Sequence, residues 1–281
     1  MYKKTDTLAK ICDMHTHTLC SHDSVCLPEQ SCMAAIGAGL GGIAFTDHAD
    51  IEFCHDVDVF ARTARSVALA QDMQRAYGDR LVVISGVEIG EGLWHKDVDK
   101  QLLATHDFDV VVRSVHAVRF DGATEPYSAI DFSEWDTTKL HAYMRRYFVD
   151  LAESVAELPC DVVAHLTCPL RYINGKYGRA LDCADFAGQI DEILDLIVAK
   201  GLALEVNTSN MYDGGCGILM PDESILRRYF SKGGRLVTIG SDAHVAERIG
   251  QKFTQTLALL RDIGFTATYR YDHRKPIACK I

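Results

Sequence analysis

The sequence of 281 residues predicts an α/β protein whose parallel strands close into a barrel similar to a TIM barrel, and three observations support this fold class. Short β-rich runs alternate with segments long enough for helices along the whole chain. The runs are nearly continuous in apolar residues, which is typical of strands covered on both faces. Every run ends in a polar side chain, and only a barrel brings all of these ends to one face. We therefore expect a single domain, residues 1–281, with seven strands around one site.

The strands and helices are predicted in order from these patterns. The seven β-rich runs are 10–15, 42–46, 81–87, 109–115, 161–164, 202–206 and 235–240. Between the runs, apolar residues recur at steps of three and four, as in Ile190, Ile193, Leu194 and Ile197, and this spacing predicts helices. The predicted helical segments are 28–40, 57–77, 137–158, 184–200, 222–231 and 246–263.

Two segments outside this alternation are assigned from their composition. The stretch 116–136 contains Gly122, Pro126 and Trp135 and is the longest loop candidate, so we expect it to overhang the site. The stretch 269–277 is basic and aromatic, and we expect a surface or closing segment there.

Composition and charge limit the classes of partner. A formal charge of −10 and a pI near 5.6 argue against a nucleic-acid or anionic-membrane binder, because such proteins need basic surface. No apolar run reaches the ~18 residues of a membrane helix, and the first residues lack a hydrophobic signal core. The ten cysteines are scattered without a C-x-x-C pair, which is typical of free thiols in a reducing compartment. We expect a cytoplasmic protein with a small-molecule partner and leave its oligomeric state open.

The first strand carries a motif that suggests metal binding. His15 and His17 in H-T-H lie on the same face of an extended strand, because successive side chains alternate. Two imidazoles that point the same way suit a divalent cation, which binds neutral nitrogen atoms near 2 Å. A pair of hydrogen-bonded strand histidines would give the same motif, so the other strand ends decide between these interpretations.

Those strand ends supply many more possible ligands. They are His48, Glu88, His116, His165, Asp242 and His244, with Asp23 or His22 in the first loop. About nine ligands exceed the three or four that one zinc ion needs, so we expect two or three divalent ions. Glu88, the one glutamate among these ends, would bridge two of them. A bridged pair stabilises the attacking and leaving oxygens of a phosphoryl displacement, which predicts metal-assisted phosphoester hydrolysis.

Three residues are candidates for binding substrate. Arg171 lies six residues beyond His165 and could hold a phosphate through two hydrogen bonds, although an exposed arginine at a helix start fits equally well. Asn207 ends the sixth strand. Glu91 lies three residues beyond Glu88 and could pair with a substrate ammonium group, or be a solvated loop residue.

The ordered motifs H-T-H-T, T-D-H, V-E-I-G, S-V-H, A-H-L, E-V-N-T-S and G-S-D-A-H resemble the polymerase and histidinol phosphatase (PHP) family. The resemblance extends from about Asp13 to Gly250 and implies a distorted seven-stranded (β/α)7 barrel with a trinuclear site for zinc, iron or manganese. By position, it implies three ligand sets, of which the first two share Glu88. They are His15, His17, Glu88 and Asp242; Glu88, His116 and His165; and Asp23, His48 and His244.

The resemblance also implies an activity. The likeness is greatest to the histidinol-phosphatase branch, as in H-L-T-C-P-L-R-Y and S-D-A-H-V-A-E-R-I-G, and implies hydrolysis of L-histidinol phosphate in histidine biosynthesis. We assign catalytic roles to Glu88, Asp242 and His244. Two alternatives are a PHP phosphoesterase for another small phosphate ester or nucleotide, and a non-catalytic metal-binding module. The second alternative is disfavoured because all nine ligand positions hold competent residues.

Overall fold

The computed structural model describes residues 7–53, 58–211 and 216–281 and contains ten strands. They are β1 Cys12–Thr16, β2 Gly42–Phe45, β3 His48–Asp50, β4 Val82–Gly90, β5 Val110–Arg113, β6 Val162–Val163, β7 Ala203–Asn207, β8 Val237–Gly240, β9 Ala267–Asp272 and β10 Lys275–Lys280. Each of the seven predicted runs overlaps one of these strands. Strand β4, which corresponds to the third predicted run, is longer than predicted. Glu88 therefore lies within β4 and not beyond its end.

The parallel strands form a barrel that is closed between its first and last members. They pair in the order β1-β2-β4-β5-β6-β7-β8, and β3 extends the sheet by pairing with the second half of β4. Beyond β8, the amide of Asp242 donates to the carbonyl of His15 at 2.7 Å, and the amide of His17 donates to the carbonyl of Ala243 at 3.0 Å. The prediction of a seven-stranded α/β barrel is confirmed.

Helices surround the barrel and begin or end at residues suited to helix termini. They are α1 Pro28–Ala38, α2 Val59–Tyr77, α3 Lys96–Thr105, α4 Thr137–Glu157, α5 Cys168–Leu170, α6 Ala187–Lys200, α7 Glu223–Ser231 and α8 Phe253–Ile263. A π-helical segment, Arg171–Lys176, continues α5. Side chains of Asp58, Asp136 and Asp222 accept backbone N–H groups at the starts of α2, α4 and α7, which satisfies donors that a helix leaves unpaired.

The helix predictions differ from the structure at several points, and α5 with its π-helical continuation was not predicted. Helix α3 was missed because Asp99 and Leu102 are its only buried residues, so its apolar periodicity is weak. The predicted segment 246–263 is two elements, a 3₁₀ turn at Ala246–Arg248 and then α8. The predicted start of the second helix, Val57, lies outside the described residues, and α2 begins at Val59 after its cap.

The C-terminal segment closes the end of the barrel opposite the predicted site. Strands β9 and β10 form an antiparallel hairpin, and the Tyr271 hydroxyl donates to the Asp161 carbonyl at 3.1 Å, just before β6. Tyr271 is buried against side chains of the barrel interior, including Cys12, Met14 and Val110. This result agrees with a closing segment, whereas the hairpin itself was not predicted.

The cysteines and the helices of the described residues bear on two expectations from composition. Every cysteine there is a free thiol. Within the same ranges, no helix has both the length and the apolar character needed to cross a membrane.

Candidate metal centre

Glu88 lies at the centre of a group of histidines at the C-terminal end of the barrel. It is fully buried on β4, and its two carboxylate oxygens face different side chains. Oε2 lies 3.2 Å from Nε2 of His15 and 3.6 Å from Nε2 of His17. Oε1 lies 3.2 Å from Nε2 of His116 and 3.0 Å from Nε2 of His165. One carboxylate thus faces two groups of nitrogen ligands, which is the geometry expected of a bridging ligand.

The first group of ligand atoms comes from both ends of the barrel sheet. His15 and His17 lie at the end of β1, and Asp242 follows β8 with a φ of 51°. Asp242 Oδ1 lies 3.1 Å from Nε2 of His17 and 3.8 Å from Nε2 of His15. Nitrogen atoms of His15 and His17 and an oxygen of Glu88 lie close enough to hold one divalent ion, and Asp242 Oδ1 lies beside them.

The third predicted set also converges, on the open side of the cluster. Asp23 Oδ2 lies 3.1 Å from Nε2 of His244, and Asp23 Oδ1 lies 3.7 Å from Nε2 of His48. Nδ1 of His244 donates to the backbone carbonyl of Asp242 at 3.0 Å, which leaves Nε2 without a proton when the ring is neutral. The His17 ring stacks against those of His48 and His244, with centroids 4.3 and 4.2 Å away.

Charge and burial give Glu88 and His17 the protonation states that metal ligands require. Burial would raise the pKa of Glu88, but His15, His48 and His116 hold it well below the usual range. Burial, together with the His244 and His48 rings, lowers the pKa of His17 to about 4. At neutral pH, Glu88 is therefore ionised and His17 is neutral, and both forms can bind a metal ion.

The donor atoms fit divalent metal ions better than they fit one another. Nε2 of His15, His17 and His244 and Oε2 of Glu88 are buried and have no hydrogen-bond partner among the described residues. Leaving such atoms unpaired costs about 1–3 kcal/mol each, and native proteins rarely do so without a reason. Cations between these atoms would satisfy all four.

Neighbouring side chains hold the ligands in position. Asp47, at the end of the second predicted run, accepts hydrogen bonds from the Thr18 amide at 2.6 Å and from the Ser21 hydroxyl at 2.9 Å. Nδ1 of His17 lies 2.9 Å from the same hydroxyl. On the other side, Asp50 Oδ1 lies 2.9 Å from Nδ1 of His116. These contacts fix ring orientation from behind the ligand atoms, a common device around metals.

A cavity of about 370 Å³ opens directly onto the cluster. Two guanidinium groups line it, from Arg171 and Arg248, and Phe53, Tyr127 and Tyr172 supply aromatic walls. Tyr127 belongs to the predicted loop 116–136, which therefore overhangs the site as expected. Arg248 was missed by sequence reasoning. Its signal was a single cation four residues beyond His244 in the S-D-A-H-V-A-E-R motif.

The candidate substrate residues have different outcomes. Arg171 lines the cavity. Asn207 is fully buried and does not: its Nδ2 donates to Glu205 at 3.1 Å and to Asp242 at 3.4 Å, and its Oδ1 accepts the Ser209 amide. The polar atoms of Asn207 are already engaged in the structure, and its contact with substrate stays a prediction.

Glu91 also lies behind the ligands rather than in the cavity. Its Oε1 accepts the amides of His116 at 2.7 Å and of Ala117 at 2.9 Å, and only 4% of the residue is exposed. Burial raises the pKa of Glu91 to about 7. In the structure Glu91 supports the His116 backbone, and its contact with a substrate ammonium group stays a prediction.

Comparisons with known proteins agree with this architecture. A family model described as "PHP domain" matches residues 13–209. The chain is 28% identical to a probable histidinol-phosphatase of Deinococcus radiodurans, over 95% of this chain and 99% of that protein. It is 30% identical to one of Clostridium acetobutylicum, over 92% and 95% of the two chains. A crystal structure of a Lactococcus lactis histidinol phosphate phosphatase, complexed with zinc, L-histidinol and phosphate, superposes with a TM-score of 0.80 at 25% identity, covering 95% of this chain and 99% of that one.

Proposed function

The chain belongs to the PHP domain family, and on that premise we propose that it is a metal-dependent phosphomonoesterase that hydrolyses L-histidinol phosphate to L-histidinol and phosphate. The observation that carries this proposal is the position of Glu88, between two groups of histidines and beside a cavity with two arginines. Relatives that align over nearly their whole length are named histidinol-phosphatases. The structural neighbour binds L-histidinol and phosphate with zinc.

The residues that would hold the ions are the three sets that share or adjoin Glu88. They are His15, His17, Glu88 and Asp242; Glu88, His116 and His165; and Asp23, His48 and His244. When bound, divalent ions lower the pKa of water and stabilise negative charge on phosphoryl oxygens. Zinc is the ion in the neighbour, and the same nitrogen and oxygen donors also suit iron or manganese.

Arg171 and Arg248 are the groups that would bind the phosphate from the protein side. Both line the cavity next to the ligand cluster, and Arg171 Nη1 also donates to the Ser209 hydroxyl at 3.4 Å. A planar guanidinium presents two parallel N–H groups to a phosphate and stays charged at any pH at which the protein folds. The two arginines would orient the ester and offset its negative charge.

The catalytic roles assigned to Glu88, Asp242 and His244 follow from where these residues lie. Glu88 contacts both groups of histidines. Asp242 contacts His17 of the first group, and its backbone carbonyl accepts a hydrogen bond from Nδ1 of His244. His244 is 28% exposed, so it is among the ligands open to the cavity. Phe53, Tyr127 and Tyr172 would contact the imidazole ring of L-histidinol phosphate, since aromatic faces suit a planar ring.

A panel of phosphate monoesters tests the proposal on metal-replete protein. We expect kcat/KM for L-histidinol phosphate to exceed that for serine phosphate, glycerol phosphate, a nucleoside monophosphate and an aryl phosphate. Sites that hydrogen-bond a substrate's polar groups reject analogues lacking them by roughly 10⁴-fold. If another ester leads, the substrate assignment is wrong and a different PHP phosphoesterase activity replaces it. If no ester is hydrolysed, the enzyme proposal itself fails.

A further inference from the structure

Glu205 is a buried carboxylate beside the metal centre that belongs to none of the proposed ligand sets. It lies on β7 and is 1% exposed. Its Oε1 lies 2.7 Å from Nδ1 of His15, and its Oε2 accepts the backbone amide of His165 at 2.7 Å. Each of its oxygens therefore contacts a residue from a different proposed ligand set.

The contact with His15 determines which ring nitrogen is available to a metal. An ionised carboxylate can only accept a hydrogen bond, so Nδ1 of His15 carries the proton and donates it to Glu205. Nε2 of the neutral ring then has a free lone pair, and it is this atom that faces Glu88 and Asp242. Without an acceptor at Nδ1, the other tautomer would compete and place a proton toward the ion.

The contact with His165 holds a strained backbone. His165 has a φ of 22°, where residues other than glycine are uncommon, and its amide points to Glu205. In this conformation Nε2 of His165 lies 3.0 Å from Glu88 Oε1. The hydrogen bond to Glu205 therefore stabilises the backbone conformation that brings this imidazole to the bridging carboxylate.

The adjacent strand leaves space for Glu205 at this position. A Cβ atom on Gly240 of β8 would lie 2.4 Å from Oε1 of Glu205 and 2.6 Å from Cβ of His15. Only glycine permits this approach. Asn207 adds a further link, because its Nδ2 donates to Glu205 Oε2 at 3.1 Å and to Asp242 at 3.4 Å.

We propose that Glu205 is a positioning residue that sets the tautomer of His15 and the backbone of His165, and so couples two metal positions of the proposed phosphoesterase. Its two oxygens contact His15 and the His165 amide, and it does not line the cavity. The inference rests on the proposed metal-dependent function. Its test uses zinc binding without substrate, so the outcome does not depend on which ester is hydrolysed.

The first experiment is a zinc titration of metal-free Glu205→Gln against a competing chromophoric chelator. Glutamine offers one acceptor oxygen in place of two, so it can serve His15 or the His165 amide but not both. We expect zinc affinity to fall about 10- to 100-fold, as is typical when a residue that orients a ligand is lost. The matched control is Asp161→Asn. Asp161 is also a buried carboxylate, but it lies just before β6, at the opposite end of the barrel, and accepts the Val111 amide there.

The two variants separate positioning from a general structural role. We expect Asp161→Asn to bind zinc like wild type, and metal-free Glu205→Gln to keep the wild-type circular dichroism. Wild-type zinc affinity in Glu205→Gln would overturn the proposal, and so would an equal loss of affinity in Asp161→Asn.

A second measurement uses wild-type protein and can overturn the proposal even if Glu205→Gln fails to fold. In ¹⁵N–¹H spectra of the zinc-loaded protein, His15, assigned by the loss of its signals in His15→Gln, should carry its proton on Nδ1. A proton on Nε2 of His15 would overturn the proposal.

Discussion

Asp23 and His22 are neighbours in the first loop, yet only Asp23 faces other ligands. Its carboxylate lies 3.1 Å from His244 Nε2 and 3.7 Å from His48 Nε2. His22 lies at the exposed edge of the cavity, with its ring centroid 5.3 Å from that of His48. We expect Asp23→Ala to lower bound metal, measured by elemental analysis, and to lower turnover by at least the 10- to 100-fold typical of ligand-supporting residues. His22→Ala should keep its metal; the reverse result would reassign the ligand.

Glu91 gives the metal-free protein a pH-dependent stability. Burial raises the pKa of its carboxyl group from 4.5 to about 7, so the folded state holds the proton more tightly than the unfolded chain. The associated stability is fully present below about pH 4.5 and is lost as the pH rises through about 7. At about 1.4 kcal/mol per pKa unit, the full loss is roughly 3 kcal/mol.

Glu91→Gln should remove that dependence. The amide nitrogen would occupy the place of Oε2, which has no partner among the described residues, while the other oxygen still accepts the His116 and Ala117 amides. We expect the variant to gain stability relative to wild type between pH 5 and 8, measured by urea denaturation with a chelator present. Parallel stability curves for the two proteins would contradict the assigned pKa.

The strands were predictable from the sequence because burial on both faces leaves a clear pattern. Runs such as L-V-V-I-S-G-V have few alternatives, and the motifs at their ends contain the side chains that the structure brings together. Helix α3 gave no such signal, because it buries only two residues. One of them is the charged Asp99, which pairs with the buried Arg113 of β5. The hairpin β9–β10 was hidden because its polar residues read as surface.

The sequence could not show whether a side chain at a strand end reaches the cavity or lies behind it. Asn207 and Glu91 follow strands just as ligands do, but backbone amides and Glu205 engage them behind the site. Glu205 itself lies within an apolar run, and nothing in L-E-V-N distinguishes it from a solvated strand residue. Arg248 is one of several arginines near the C-terminus, and only the 3₁₀ turn after His244 brings it to the cavity.

The hairpin β9–β10 stabilises the barrel mainly through Tyr271. This residue is 2% exposed and packs against the barrel interior, so Tyr271→Ala should cost about 3–5 kcal/mol of unfolding free energy. The matched variant Tyr271→Phe loses only the hydrogen bond to the Asp161 carbonyl and should cost about 0.5–1.5 kcal/mol. Urea denaturation of metal-free proteins measures both, and equal losses would mean that the hydroxyl group, not the ring, anchors the hairpin.

At the scale of the whole molecule, the metal centre joins segments that are far apart in sequence. His15 lies on β1 and Asp242 follows β8, the first and last strands of the barrel. Glu88, His116 and His165 come from the strands between them. The closure of the barrel depends on the same region, because the Asp242 amide donates to the His15 carbonyl. Ions that bind here should therefore stabilise the complete ring and have no comparable site in the unfolded chain.

Zinc should thus stabilise the folded chain, and the effect should depend on pH. A ligand that binds only the folded state adds about 2.7 kcal/mol at 100 times its Kd. Protons compete for the same nitrogen atoms. Burial lowers the pKa of His48, but Asp50 and Glu88 outweigh it and raise that pKa to about 9 in the metal-free protein. Zinc binding must displace this proton at neutral pH, so zinc affinity should increase from pH 6 to 9.

The measurement is the difference in urea midpoint between zinc-loaded and chelator-treated protein at pH 6, 7, 8 and 9. We expect the difference to grow with pH, and phosphatase activity to disappear in the chelator-treated samples and return with zinc or manganese. Proton release on zinc addition at pH 8, followed in weak buffer, gives an independent reading of the same competition. A stabilisation that stays constant across this range would show that His48 is already neutral before metal binds, and that the carboxylates around it do not hold its proton.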